Sequence, residues 1–210
     1  MISADYALSS ETRHLWNVVP GELGCALAWV AAHAAEYGGD PERLALTGGS
    51  AGGNLAINAA YMANAGTLPS ACGGTVPKVR AVSALVPGVT PAALYDGTVP
   101  FFGSGDRTLL NAYIGGSPTQ FPDRYRFVSG EAHLSERTPP TLLLAGSIDH
   151  VASTPSIDRF AEVAAARGVA VRLVHFPYGD HGFAAPPNGL GSQAYRQLTV
   201  NWFREHGLTP

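Results

Sequence analysis

Residues Arg43–Ala56 read RLALTGGSAGGNLA, and the fold turns on how this stretch is read. Its first part, Arg43–Gly48, is a short apolar run ending in glycine, the pattern of a buried strand. The part from Thr47 to Ala56 sets four glycines and two alanines around one serine. Residues this small build no core, and the glycines start a helix poorly by themselves. They suit a crowded turn with a special backbone, joining the strand to a helix over Asn54–Ala65.

Three more runs along the chain resemble Arg43–Gly48. Val79–Val86 (VRAVSALV) is stopped by Pro87, Thr141–Gly146 (TLLLAG) ends in glycine, and Val169–Phe176 (VAVRLVHF) follows Gly168. Runs that are apolar on both faces imply a sheet covered on both sides, which favours parallel strands. Ile2–Leu8 (ISADYAL) alternates weakly and is expected as a fifth strand. Helical patterns fall between the strands. Leu23, Leu27, Val30 and Ala34 share one face of a helix that ends at Gly38-Gly39. Ile157, Phe160, Ala161 and Ala164 share a face of a helix that opens near Pro155 and closes at Gly168. Tyr195, Leu198 and Trp202 face inward from a last helix over about 192–206. This alternation predicts an α/β fold, with a mostly parallel sheet of about five strands covered by helices on both faces. One domain is expected over residues 1–210. Residues 87–140 are the least regular part; they hold a short helix near Arg107–Ile114 and read as an excursion over the sheet's edge.

Gly48-Gly49-Ser50-Ala51-Gly52 fits G-x-S-x-G, and its place between a buried strand and a helix is the setting of a nucleophile elbow. There a tight turn lifts the serine hydroxyl above the sheet, and Gly48 and Gly52 are expected to be glycine because side chains two residues away would crowd the turn. A serine hydroxyl attacks only when a base takes its proton and a third group holds the base. Asp149, in GSIDH, lies three residues past TLLLAG, and His181, in YGDHGF, lies five past VAVRLVHF. Both therefore sit at the carboxyl ends of strands, on the edge expected for Ser50. Of the other histidines, His33 and His206 fall on helices, His175 lies in a strand, His150 adjoins the acid, and His14 and His133 stand in loops without a matching partner. Asp180 directly precedes His181, and adjacent side chains rarely face each other, so it reads as a loop cap.

Composition narrows the rest. The chain has 210 residues, 46% hydrophobic and 14% charged, with a net charge of −3. Such a chain is long and apolar enough for a compact core. No basic run suggests nucleic acid as a partner, and no apolar stretch approaches a membrane span. MISADYALSS lacks the basic start and apolar core of a secretory signal, which favours the cytoplasm. No cluster has metal-ligand spacing, and no cofactor is expected. The two cysteines, Cys25 and Cys72, are too few for a disulfide framework. Two buried thiols are the expectation, with a single disulfide as the alternative.

With these residues in place, the chain resembles bacterial carboxylesterases of the α/β-hydrolase fold, near the hormone-sensitive-lipase-like and feruloyl-esterase-like groups. The resemblance rests on AWVAAHAAEYGGDPERLALTGGSAGGNLA (Ala28–Ala56), YIGGSPTQFPDRYR (Tyr113–Arg126), PPTLLLAGSIDHV (Pro139–Val151) and DHGF (Asp180–Phe183). It implies Ser50, Asp149 and His181 as nucleophile, acid and base. The implied activity is cofactor-free cleavage of small-molecule carboxylic esters through an acyl-enzyme. Gly49 departs from the acidic or polar residue often found before the serine.

A second departure matters more. ISADYALSSE resembles the family's fourth strand, and no His-Gly-Gly run exists for the loop that usually supplies oxyanion donors. The backbone N–H of Ala51 remains as a donor, with Gly52 second. The resemblance therefore also implies a strand edge beside Arg43–Gly48 that Ile2–Leu8, a homodimer partner or a complementing N-terminal segment would cover. Small or aromatic acyl groups are expected as substrates, with Phe101, Phe102, Tyr113 and Phe121 as candidate walls. The alternatives are an amidase or acyl transferase with the same triad, or a catalytically impaired remnant acting as a binding module.

Overall fold

The computed structural model describes residues 1–96 and 105–208. Among them, four parallel strands form one sheet in the order β1-β2-β3-β4. They are β1 (Ala45–Gly49), β2 (Ala81–Leu85), β3 (Thr141–Gly146) and β4 (Val171–Phe176). Each strand is followed by helix before the next begins: α1 (Val19–His33) precedes β1, α2 (Ala51–Ala65) follows it, α6 (Thr154–Ala166) joins β3 to β4, and α7 (Leu190–Glu205) closes the chain. The crossover between β2 and β3 is the irregular excursion. It holds α3 (Pro91–Asp96), α4 (Gly105–Ile114), α5 (Pro122–Phe127) and a 3-10 turn at Gly130–His133.

The two central strands carry the burial that their apolar runs foretold. All six residues of β3 and the first four of β2 are buried, whereas β1 and β4 are only partly so. Side chains alternate between two cores, as the pleat requires. Val82, Ala84, Leu143 and Ala145 pack with α2 and with Ile157 and Phe160 of α6. Ala81, Leu142 and Leu144 turn the other way, onto Trp202 of α7, and Ser83 shares a 2.8 Å hydrogen bond with Thr199. Tyr195 and Leu198 pack beside Trp202, as the helical pattern predicted.

Helix α2 is buried from Gly53 through Asn64. Such a helix needs cover on every side, and it has the sheet beneath, α1 alongside and the excursion above. Asn54 and Asn58, both buried, tie it to that excursion. The Asn54 amide donates to Gly88 O (2.8 Å) and Val128 O (3.0 Å), and the Asn58 amide to Val128 O (2.9 Å). Gly88, near the start of the excursion, and Val128, near its end, are thus both tied to α2.

Two expectations are corrected. Ile2–Leu8 forms no strand; Tyr6 and Ala7 instead pack on Leu15, Val19 and Leu55, and Ala7 N–H donates to Glu22 Oε2 at 2.9 Å. Docking by side chains leaves β1 at the edge of a four-stranded sheet among the described residues. Cys25 of α1 and Cys72 of the loop after α2 are joined in a disulfide and are not two buried thiols; Cys72 is exposed. Beside it Ala71 N–H donates to Gly21 O at 2.8 Å, a second tie between this loop and α1.

Candidate active site

The turn between β1 and α2 has the backbone that the glycines suggested. Ser50 stands at φ 54°, ψ −120°, a conformation that L-residues disfavour. A Cβ at Gly48 would run into the Gly52 carbonyl, with that carbonyl carbon 2.5 Å away. Gly52 itself is different: a Cβ there meets nothing within 4 Å, and the second crowded position is Gly53, against Pro87, Gly48 O and Leu85 O. The turn is held by Ser50 N–H donating to Leu85 O (2.9 Å) and by Asn54 N–H donating to Ser50 O (3.1 Å). Among the described residues, three non-glycine residues have positive φ: Ser50, Val86 and Tyr178. Each lies just past the carboxyl end of a strand, so the backbone strain gathers at one edge of the sheet, as it does at functional sites. Val86 and Tyr178 carried no signal in the sequence, because β-branched and aromatic side chains are poor indicators of that backbone region.

Ser50, Asp149 and His181 come from the ends of β1, β3 and β4 and meet above that edge. Ser50 Oγ lies 2.9 Å from His181 Nε2, and His181 Nδ1 lies 3.0 Å from Asp149 Oδ2 and 3.1 Å from Oδ1. A carboxylate can only accept, so Nδ1 bears the ring proton and Nε2 is left to accept from the serine hydroxyl. The Asp149 side chain is fully buried and that of His181 is 23% exposed. Asp149 Oδ1 also accepts from the backbone N–H groups of Val151 and Ala152, both at 2.8 Å, so its burial leaves no lone pair stranded on that side. The N–H groups of Ala51 and Gly52 lie in the first turn of α2, where helical geometry gives them no intrahelical acceptor and the helix end favours negative charge.

The remaining histidines all have structural partners. His14 Nδ1 and His133 Nε2 contact the carbonyls of Ala112 and Phe127 at 2.8 and 2.7 Å. His206 Nδ1 contacts Trp202 O, His33 pairs with Glu36, His175 with Asp158, and His150 with Asp180. Asp180 caps a loop as expected: its Oδ1 accepts from the N–H groups of His150 (3.0 Å) and His181 (2.7 Å). These donors, His150 first, draw its carboxyl down to about 2. Of the candidate walls, Tyr113 packs on the Leu15–Val19–Leu55 cluster and Phe121 on Ile114 and Tyr125, while Phe101 and Phe102 lie outside the described residues. No group of three metal-ligating side chains occurs among the described residues, and no helix among them is long and apolar enough to cross a membrane.

Known proteins resemble this chain in sequence and in fold. The chain is 30% identical over 189 residues to the probable carboxylic ester hydrolase LipM of Mycobacterium tuberculosis, covering 81% of this chain and 39% of LipM. It is 29% identical over 197 residues to carboxylesterase NlhH of the same species, covering 87% of this chain and 56% of NlhH. The chain thus spans about half the length of the curated relatives it matches. A solved esterase of Thermogutta terrifontis with propionate bound superposes with a TM-score of 0.71 at 24% identity, over 93% of this chain and 67% of that one. Residues 1–162 match the BD-FAE family. That match takes in β1, the Ser50 turn, β3 and Asp149, and the superposition on the solved esterase carries the fold; the chain belongs to the BD-FAE family, on an α/β-hydrolase fold.

Proposed function

We propose that the chain is a serine carboxylesterase acting on esters of small or aromatic acids. The observation that carries this reading is the unbroken hydrogen-bonded line from Ser50 Oγ through the His181 ring to buried Asp149. Ser50 Oγ attacks the ester carbonyl carbon while His181 Nε2 takes its proton. The N–H of Ala51, with Gly52 second, donates to the oxyanion. Collapse of the tetrahedral intermediate expels the alcohol, which receives the proton from His181. Water then repeats the sequence on the acyl-enzyme and releases the acid. Asp149 holds the tautomer and faces the imidazolium as it forms. No cofactor enters this scheme. The same triad would serve an amidase or acyl transferase; the names of the matched relatives favour the ester, and bound propionate in the Thermogutta terrifontis enzyme favours a short acyl group.

Two features bear on how the protein works in its setting. The Cys25–Cys72 disulfide favours an oxidising compartment over the cytoplasm that the N-terminal sequence suggested. The outer edge of β1 is where a second copy or a complementing segment would add a strand next to the Ser50 turn. The deciding experiment is hydrolysis of a chromogenic butyrate ester by the wild type and by Ser50→Ala, with mass spectrometry of the quenched wild type. Activity lost in Ser50→Ala, and an acyl group found on Ser50, are expected. Full activity in Ser50→Ala would overturn the reading.

A further inference from the structure

The loops that carry the acid and the base are stitched together by far more than the bond between Asp149 and His181. Ser147 N–H donates to Phe176 O (3.0 Å), Ile148 N–H to Gly179 O (3.1 Å), and Tyr178 N–H to Ser147 Oγ (2.8 Å). A Cβ on Gly146, the last residue of β3, would strike the Gly179 carbonyl, so the two backbones touch there. The outermost stitch is a single oxygen. Asp180 Oδ1 accepts from His181 N–H at 2.7 Å, from His150 N–H at 3.0 Å and from His150 Nδ1 at 3.1 Å. One of those N–H groups belongs to the base, and the other follows the acid directly in the chain. The oxygen therefore ties together the two backbone points that flank the hydrogen bond between Asp149 and His181.

We propose that Asp180 is a positioning residue for the triad, clamping the His150 and His181 backbones so that the His181 ring stays aligned between Asp149 and Ser50. This rests on the triad reading above. Asp180 does not act on the substrate, since its engaged oxygen faces the loop backbone and the His150 ring. Its effect comes from geometry. Displacing a catalytic group by about 1 Å costs about a hundredfold in rate, and without the clamp the two loops lose their outermost shared acceptor. Substrate binding is left alone, so the loss falls on kcat and not on KM. Accepting the two N–H groups needs an oxygen but no charge, so an amide in its place restores most of the function.

The test compares Asp180→Ala, Asp180→Asn, His150→Ala and Ser50→Ala in the full chain. Steady-state kcat and KM are measured on a butyrate ester, along with the labelling rate of Ser50 by a fluorophosphonate and the low-field proton resonance of the His181 ring. In Asp180→Ala, kcat and the labelling rate fall roughly ten- to a hundredfold, KM holds, and the low-field resonance broadens or disappears. Asp180→Asn recovers most of the rate and the resonance. His150→Ala, which loses only the ring contact, falls less than Asp180→Ala. A folded Asp180→Ala with wild-type kcat overturns the proposal, and so does Asp180→Asn falling as far as Asp180→Ala. If Asp180→Ala does not fold, Asp180→Asn and His150→Ala decide: retained rate with an intact resonance supports the clamp, and a lost resonance in Asp180→Asn refutes it. Ser50→Ala keeps the two readings apart. If it stays active, the triad itself fails; if it is inactive while Asp180→Ala is normal, only the clamp fails.

Discussion

Gly48 and Gly52 flank Ser50 symmetrically in the motif, yet the structure predicts opposite responses to the same added methyl group. In Gly48→Ala the new Cβ lies 2.5 Å from the Gly52 carbonyl carbon and 3.0 Å from Gly53 N. The first separation is roughly 1 Å short of ordinary van der Waals contact. Both neighbours are backbone, so no side chain can swing aside, and α2 must back away from β1. Overpacking of this kind costs about 1–3 kcal/mol. In a chain of this size each kcal/mol lowers Tm by roughly 2–4 °C. The retreat also moves the Ser50 turn, and a shift of about 1 Å at the nucleophile costs about a hundredfold in kcat. In Gly52→Ala the Cβ meets nothing within 4 Å. Alanine is the better helix former by up to about 1 kcal/mol, so Tm holds or rises. Calorimetry on both variants, with kcat on a butyrate ester for Gly48→Ala, checks the pair. A Gly48→Ala variant with wild-type Tm and kcat, or a Gly52→Ala variant whose Tm falls as far as that of Gly48→Ala, would refute this asymmetry.

Reducing the disulfide, or replacing Cys25 and Cys72 with alanine, should destabilise the chain by up to about 4 kcal/mol on chain-entropy grounds for a 47-residue separation, read as a shift in urea midpoint. An unchanged midpoint, or free thiols in the untreated protein by alkylation, would refute that bond. Acetate and butyrate esters should turn over faster than long-chain esters, and a preference for the long chain would sink the small-acyl reading. Asp180, drawn down to about 2 by N–H donors, stabilises the folded state fully above the ordinary carboxylate value of 3.8 and loses that contribution as pH falls toward 2. Carboxyl NMR should find it ionised at pH 3.5, and a midpoint near 4 would contradict the bonds drawn to it.

Sequence alone determined what depends on neighbours along the chain. Continuous apolar runs marked β2 and β3 as buried on both faces, and the spacing of Ile157, Phe160 and Ala164 marked the inner face of α6. Because strands followed by helices run parallel, every loop after a strand leaves by the same edge, so chain order alone places Ser50, Asp149 and His181 together. Only the tertiary structure decided what depends on separate segments meeting. Ile2–Leu8 had alternation enough for a strand, but Tyr6 and Ala7 found an apolar cluster on α1 and α2, and side-chain burial there replaced a ladder. Cys25 and Cys72 are 47 residues apart, and whether they bond depends on α1 lying against the loop after α2. The motif treats Gly48 and Gly52 alike, yet crowding falls on Gly48 and Gly53, because the direction of each Cα–Cβ bond is set by how α2 leaves the turn. Asp180 could be read as a cap from its position, but the second N–H it holds belongs to His150, thirty residues back in the chain, and only the packing of β3 beside β4 brings that group within 3.0 Å.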